Sequence, residues 1–329
     1  MNNAMKIAAI QELISHVREN IGRVIIGQEG SIELLLVALL TEGHVLLEDV
    51  PGIGKTSLAR ALATSLDCSF SRIQFTPDLL PSDVTGIYYF NQKSGEFEYR
   101  AGPILAQIVL ADEINRAGPR TQSALLEAMQ ERQVTVEGVT HVLQRPFLVL
   151  ATQNPVELEG TFPLPEAQID RFLMRLALGY PSRQDELAIV RRYRGSSPLE
   201  TLRAVASAAD ILAMGQRAGQ VYVHPAVEEY IVDLARASRD EPALQLGVSP
   251  RGTLALYRAS QSLAALRGRD YVLPDDVKYL TGPVLKHRLV PSSQARLRVR
   301  PIGEILQDVV DRVPVPVEEV FTPREAYHA

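Results

Sequence analysis

The stretch His44-Val45-Leu46-Leu47-Glu48-Asp49-Val50-Pro51-Gly52-Ile53-Gly54-Lys55-Thr56 decides the fold. Its first five residues read as a buried strand. A turn rich in proline and glycine follows, and residues 55–66 carry a helical pattern. Strand, glycine turn and helix in that order make a phosphate-binding loop. Backbone N–H groups of the turn and of the helix N-terminus point at phosphate oxygens, and glycine permits the close approach. Pro51, Gly52, Ile53, Gly54, Lys55, Thr56 and Ser57 are therefore the expected nucleotide cradle. Lys55 reaches the β- and γ-phosphates, and the Thr56 hydroxyl serves as a magnesium ligand. One position departs from the pattern G-x-x-x-x-G-K-[ST]: Asp49 stands where the first glycine is expected.

Outward from this unit the elements alternate. Ile7, Ile10, Ile14, Val17 and Ile21 recur at helical spacing, so residues 7–21 read as an amphipathic helix. A second helix is predicted over 31–42, with Gly43 as its C-cap. Strands are predicted at 71–75, 104–110 and 147–151, and a helix at 119–131. Two β-hairpins are expected, at 87–100 and 134–143. The first holds five of the chain's aromatic residues: Tyr88, Tyr89, Phe90, Phe97 and Tyr99. Alternation of strands and helices implies a parallel sheet. After Tyr180-Pro181 helical patterns dominate. The expected domains are an α/β core over 1–190, an all-helical domain over 191–312, and a tail over 313–329 with partial disorder.

Composition narrows the function. Of 329 residues, 46% are hydrophobic and 22% charged, which fits a globular protein and excludes global disorder. The formal net charge of −5 argues against a dedicated binder of nucleic-acid backbone. One cysteine, Cys68, excludes an internal disulfide, and no Cys/His spacing suggests zinc. The apolar run 34–40 is far shorter than the ~20 residues of a membrane span. Residues 1–10 do not resemble a targeting signal, so a reducing, cytoplasmic setting is the default expectation.

A second acidic signal follows the predicted strand at 104–110: Ala111-Asp112-Glu113. Carboxyl ends of strands are where α/β sheets bind ligands. Asp112 can complete a magnesium shell, and Glu113 can polarise an attacking water. By itself such a pair is as readily a solvated strand end or a helix cap. The phosphate loop favours the catalytic reading.

Taken together, these motifs resemble the AAA+ ATPases, and within them the MoxR family. The resemblance is carried by residues 48–56, by Ala111-Asp112-Glu113-Ile114-Asn115-Arg116-Ala117, by Ala151-Thr152-Gln153-Asn154-Pro155 and by Pro165-Glu166-Ala167-Gln168-Ile169-Asp170-Arg171-Phe172. Gly247-Val248-Ser249-Pro250-Arg251 and Leu285-Lys286-His287-Arg288-Leu289 extend it to nearly the whole chain. It implies a P-loop parallel-sheet core with helix-2 and pre-sensor-1 hairpin insertions, followed by an all-helical lid. It implies Asn154 as the sensor-1 residue that positions water, Arg171 as an arginine finger given to a neighbouring subunit, and Arg251 as sensor 2. Arg116 is the competing arginine in trans.

The activity so implied is magnesium-dependent ATP hydrolysis coupled to remodelling, maturation or activation of partner complexes. The implied assembly is a homo-oligomeric ring, a hexamer. The implied partners are a protein client and a protein with a von Willebrand factor A domain. Three readings compete: a magnesium-chelatase-like subunit, a nucleic-acid motor and a nucleotide-gated scaffold with little turnover. The net charge and the absence of a zinc or winged-helix module weigh against the motor. Glu113, Asn154 and Arg171 weigh against the scaffold.

Overall fold

The structure is a computed structural model that describes residues 7–154, 160–195 and 197–316. Contact density divides the chain into two units, Glu12–Gly215 and Gln216–Ala329 together with Met1–Gln11. The composition shift near residue 190 is a different measure. By contacts, the helices Arg183–Arg192 and Pro198–Thr201 fall within the α/β unit.

The α/β unit is built on five parallel strands: β1 (Val45–Glu48), β2 (Phe70–Gln74), β3 (Ile108–Asp112), β4 (Leu148–Gln153) and β5 (Met174–Leu176). Their order across the sheet is β2-β3-β4-β1-β5. β1 pairs with β4 on one side and β5 on the other, Val45 opposite both Leu150 and Met174. The three central strands, β1, β3 and β4, are largely apolar runs buried on both faces, as expected where helices cover a parallel sheet, whereas in the edge strand β2 only Ile73 is buried. The helix Glu29–Leu40 is buried from Ile32 to Leu40, which accounts for the long apolar run without a membrane. No helix among the described residues is long and apolar enough to cross one.

Three local readings are corrected. The strand expected at 104–110 divides into a 3₁₀ turn, Pro103–Leu105, and β3, which begins only at Ile108. Pro103 occupies the first turn position, and the Ile108 N–H reaches Ser69 O at 2.9 Å to begin the ladder with β2. At the end of Glu29–Leu40, Glu42 rather than Gly43 takes the left-handed conformation, at φ 53°. Its N–H bonds Leu39 O at 3.0 Å, while Gly43 N–H bonds Ala38 O at 2.8 Å, a paired closure of the helix end. Gly43 is needed for space: a Cβ there would lie 2.5 Å from Leu173 Cβ. β5 is absent from the sequence reading, because three residues are too few to show a period.

Both hairpins form. Gly86–Asn91 pairs with Glu96–Ala101, and Gln133–Val136 with Val139–Val142. Glu137 and Gly138, at φ 49° and 81°, turn the second one. His141 of the second hairpin stacks on Tyr99 of the first, centroids 3.8 Å apart, so the two contact each other. Phe90 and Phe97 continue that aromatic face and stay exposed, at 53% and 69%.

The other unit is a helical bundle led by Pro225–Arg239, Pro250–Leu266, Pro274–Leu285 and Ile302–Arg312. Serine caps open two of its helices: Ser249 accepts from Gly252 N–H at 3.1 Å and Ser292 from Ala295 N–H at 3.3 Å. It is not purely helical, since Leu244–Leu246 pairs with Val290–Pro291. The expected disorder of the tail falls, beyond Pro316, outside the described residues. Val313 at its start is buried.

His44 bridges the interior strand β4 and the helix Pro119–Glu131. Met129 O can only accept, so Nε2 carries the proton at 2.9 Å, and Nδ1 accepts from Val149 N–H at 3.0 Å. Burial lowers its pKa from 6.5 to about 4. The unfolded chain therefore binds a proton between pH 6.5 and 4 that the folded chain refuses. The stabilisation is fully present above pH 6.5 and is lost as pH falls toward 4. Wild type is expected to lose about 2–3 kcal/mol more than His44→Gln between pH 7 and 4.5 in urea unfolding. Equal losses would show that His44 does not set the acid limit.

A candidate nucleotide site at the strand ends

The order β3-β4-β1 brings three carboxyl ends side by side, and a cavity of about 360 Å³ opens beyond them. Pro51, Gly52, Gly54, Lys55, Thr56 and Ser57 line one side. Asp112, Glu113, Thr152 and Asn154 line another, with Arg72, Gln74 and Asp49. Its volume lies in the range usual for small-molecule clefts.

The loop's shape follows from its glycines. Gly52 and Gly54 hold φ of 87° and 92°, and an added Cβ at either would meet nothing within 4 Å. Conformation, not space, demands glycine at both. The helix Lys55–Ser65 begins directly after Gly54, so its first N–H groups open on the cavity. Lys55 Nζ donates to Asp49 O at 3.0 Å and Val50 O at 3.2 Å, which folds the loop around it.

Asp49, the departure from the general pattern, has a structural reason. Its carboxylate accepts from Leu178 N–H at 2.6 Å and Gly179 N–H at 3.1 Å. The loop is thereby tied to the chain leaving β5. A glycine would leave those two amides without that acceptor.

The acidic pair sits in a polar network that the sequence reading missed. Thr152 Oγ1 donates to Asp112 Oδ1 at 2.7 Å and accepts from Glu113 N–H at 2.8 Å. Arg72 donates to Asp112 Oδ2 through Nε at 3.1 Å and Nη2 at 2.6 Å. Gln74 Nε2 and Arg116 Nη1 donate to Glu113 Oε2 at 2.8 and 3.0 Å. Arg72 also reaches Gln74 Oε1 at 2.5 Å, which joins the two carboxylates through one chain of donors. Glu113 itself is left-handed, φ 59° and ψ 48°. Backbone strain of this kind concentrates at functional sites. A signal for Arg72 and Gln74 existed: they alternate around buried Ile73, so both side chains leave the same face of β2.

Not every anticipated residue meets here. Ile53 is outside the cavity lining. Arg171 follows the short helix Glu166–Ile169, its N–H bonded to Gln168 O at 3.2 Å, and it too is outside the lining. Its neighbour Phe172 is fully buried and anchors that turn. Arg251 belongs to the helical unit, where it is exposed in the first turn of Pro250–Leu266. Pro155 lies outside the described residues.

Comparison with known proteins agrees with this geometry. Residues 44–174 match the family described as the ATPase family associated with various cellular activities, and residues 236–309 match the AAA lid domain. The chain is 51% identical to YeaC of Bacillus subtilis, over 94% of this chain and 97% of that protein. It is 46% identical to the chaperone MoxR1 of Mycobacterium tuberculosis, over 82% of this chain and 73% of that one. A crystal structure from Cytophaga hutchinsonii superposes with a TM-score of 0.89 at 39% identity, covering 94% of this chain and 97% of the other. With a phosphate loop, an acidic pair and a polar strand end in one cleft, and relatives of this likeness along its length, the chain belongs to the MoxR family of AAA ATPases.

Proposed function

We propose that this protein hydrolyses ATP in a magnesium-dependent reaction within a homo-oligomeric ring, and uses the cycle to remodel protein complexes. The observation that carries the reading is the disposition of Glu113. Two donors hold its Oε2, whereas its Oε1 takes no hydrogen bond from a described residue. That oxygen is positioned to accept the proton of a water attacking the γ-phosphate. Asn154, buried to 9% exposure at the end of β4, lines the same cavity and orients that water. Lys55 and the loop N–H groups bind the phosphates. Thr56 and Asp112, facing one cavity, are the residues that would hold magnesium, which neutralises charge on the β- and γ-phosphates.

Arg171 completes the site of a neighbouring subunit, and Arg251 reads the nucleotide from the lid. The ring is a hexamer located in the cytoplasm. The client is a protein, recruited with a partner that bears a von Willebrand factor A domain. The remodelling role is supported by the name of the Mycobacterium tuberculosis relative, a chaperone.

Glu113→Gln tests this reading. The amide cannot accept a proton, so hydrolysis is expected to fall about 10²–10⁴-fold while ATP binding persists. Under ATP the variant should then retain a client that wild type releases. Undiminished phosphate release by the variant would overturn the assignment of Glu113. Normal ATP retention with no protein captured would overturn the remodelling role.

A further inference from the structure

Arg72 belongs to none of the motifs read from the sequence, yet its guanidinium grips Asp112, the residue read as a magnesium ligand. It leaves β2 opposite Leu110, two positions before Gln74, which lies opposite Asp112 itself. The long side chain therefore runs along the strand, over about 7 Å, to reach the carboxylate. Its Nε and Nη2 both end on Oδ2, at 3.1 and 2.6 Å. Thr152 Oγ1 holds the other oxygen, Oδ1, at 2.7 Å. A carboxylate oxygen offers about two lone-pair positions, so Arg72 by itself fills Oδ2. Magnesium binds carboxylates through the same lone pairs. Arg72 and a metal ion thus compete for one oxygen.

The charges of the cleft decide which competitor wins. Its lining carries two cations, Lys55 and Arg72, against three carboxylates, Asp49, Asp112 and Glu113. Asp49 is committed to the amides of Leu178 and Gly179, and Glu113 pairs with Arg116. Asp112 has Arg72 as its one ion-pair partner among the described residues. The Arg72 side chain is 44% exposed, and a pair so open to water contributes about 0–1 kcal/mol, so it breaks readily. A divalent cation arriving alone sets two more positive charges beside Lys55 and Arg72 with nothing to balance them. A cation arriving with a nucleotide brings phosphate charges that balance both the metal and the released guanidinium. We propose that Arg72 is a positioning residue that guards Oδ2 of Asp112. It keeps free divalent cations off the carboxylate and yields when metal and phosphates arrive together, so nucleotide and metal load as one complex. The proposal rests on the reading of Asp112 as a magnesium ligand.

The test measures metal and nucleotide separately on the full-length protein. Manganese is the metal probe, and its binding without nucleotide is followed by loss of the free-ion electron paramagnetic resonance signal. Arg72→Gln is expected to bind manganese about tenfold more tightly than wild type, because Oδ2 is freed and one positive charge is gone. The same variant is expected to bind ATP in the presence of a chelator about tenfold more weakly, because Asp112 then faces the phosphates unscreened. A merely structural loss weakens both, so the opposite signs are the signature of a guard. Adding Asp112→Asn to Arg72→Gln is expected to abolish the manganese gain. Asp112→Asn alone is expected to raise the magnesium needed for half-maximal ATP binding, which checks the ligand reading independently. Wild-type manganese affinity in Arg72→Gln, with that magnesium requirement raised, would overturn the guard and leave Asp112 a ligand. Weaker binding of both manganese and ATP would overturn the guard in favour of a structural role. An unchanged magnesium requirement in Asp112→Asn, or a manganese gain that survives it, would overturn the ligand reading and the guard with it.

Discussion

Lys55→Ala is expected to lose ATP affinity by on the order of 10²-fold or more, since charge-assisted hydrogen bonds to phosphate are among the strong ones. Lys55 is the only lysine or arginine of the glycine turn and its helix start, residues 49–57. Its ammonium lies in the loop's concavity, within 3.0–3.2 Å of two main-chain oxygens. Alanine removes a point charge and three donors without changing the glycines that shape the backbone. The loop should therefore stay folded, anchored by Asp49 on Leu178 and Gly179. The measurement is equilibrium binding of a fluorescent ATP analogue, with the thermal midpoint as the control for folding. Affinity equal to wild type would show that the cradle, rather than the charge, carries binding. Lost affinity with a collapsed thermal midpoint would show that the lysine holds the loop together.

The parts of this site that were legible in sequence share one property: their chemistry is local. Strand, glycine turn and lysine lie within thirteen consecutive residues, so spacing alone reveals them. The same holds for Asp112 and Glu113 at a strand end and for the turn of the second hairpin. What was not legible depends on strand order. Arg72 and Gln74 matter because β2 lies beside β3, with Gln74 opposite Asp112. No spacing within the chain predicts that adjacency. Thr152 joins the two carboxylates because β4 is β3's other neighbour, with Ala151 opposite Ala111.

Boundary errors have equally local causes. An apolar stretch at 104–110 looks like one strand, but Pro103 starts a turn and Gln107 turns inward. Its side chain accepts from Ser69 N–H at 3.2 Å and donates to Arg145 O at 3.1 Å. Gly43 looks like a left-handed cap, yet Glu42 assumes that role. Two arginines, 132 and 145, hold the Glu42 carboxylate there. Long-range ion pairing outweighs the local preference for glycine at that position. β5 escapes notice because its identity as a strand rests on pairing with β1, not on its own three residues.

The second large effect concerns Arg171. If it serves a neighbour's γ-phosphate, Arg171→Ala retains ATP binding and loses about 10³–10⁵-fold in hydrolysis, the range for an arginine finger. Its absence from the lining of its own subunit's cavity is compatible with that role. So is its place one residue before the buried Phe172, which fixes the turn that carries it. A guanidinium is suited to the task because its planar donors neutralise charge on the transferred phosphoryl group. The two roles can be separated by mixing. A ring of Arg171→Ala subunits lacks every finger, and a ring of Lys55→Ala subunits lacks every competent loop. In mixed rings, an interface that joins an intact Lys55 to a neighbour's intact Arg171 is complete. Steady-state phosphate release from an equal mixture should then exceed the sum of the two parents. A surface ion pair at Arg171 predicts instead that the single substitution changes little, since such pairs contribute about 0–1 kcal/mol. Mixed rings, confirmed by co-purification of differently tagged subunits, that show no gain would reject the trans assignment. Suspicion would then pass to Arg116, which already donates to Glu113 within its own subunit.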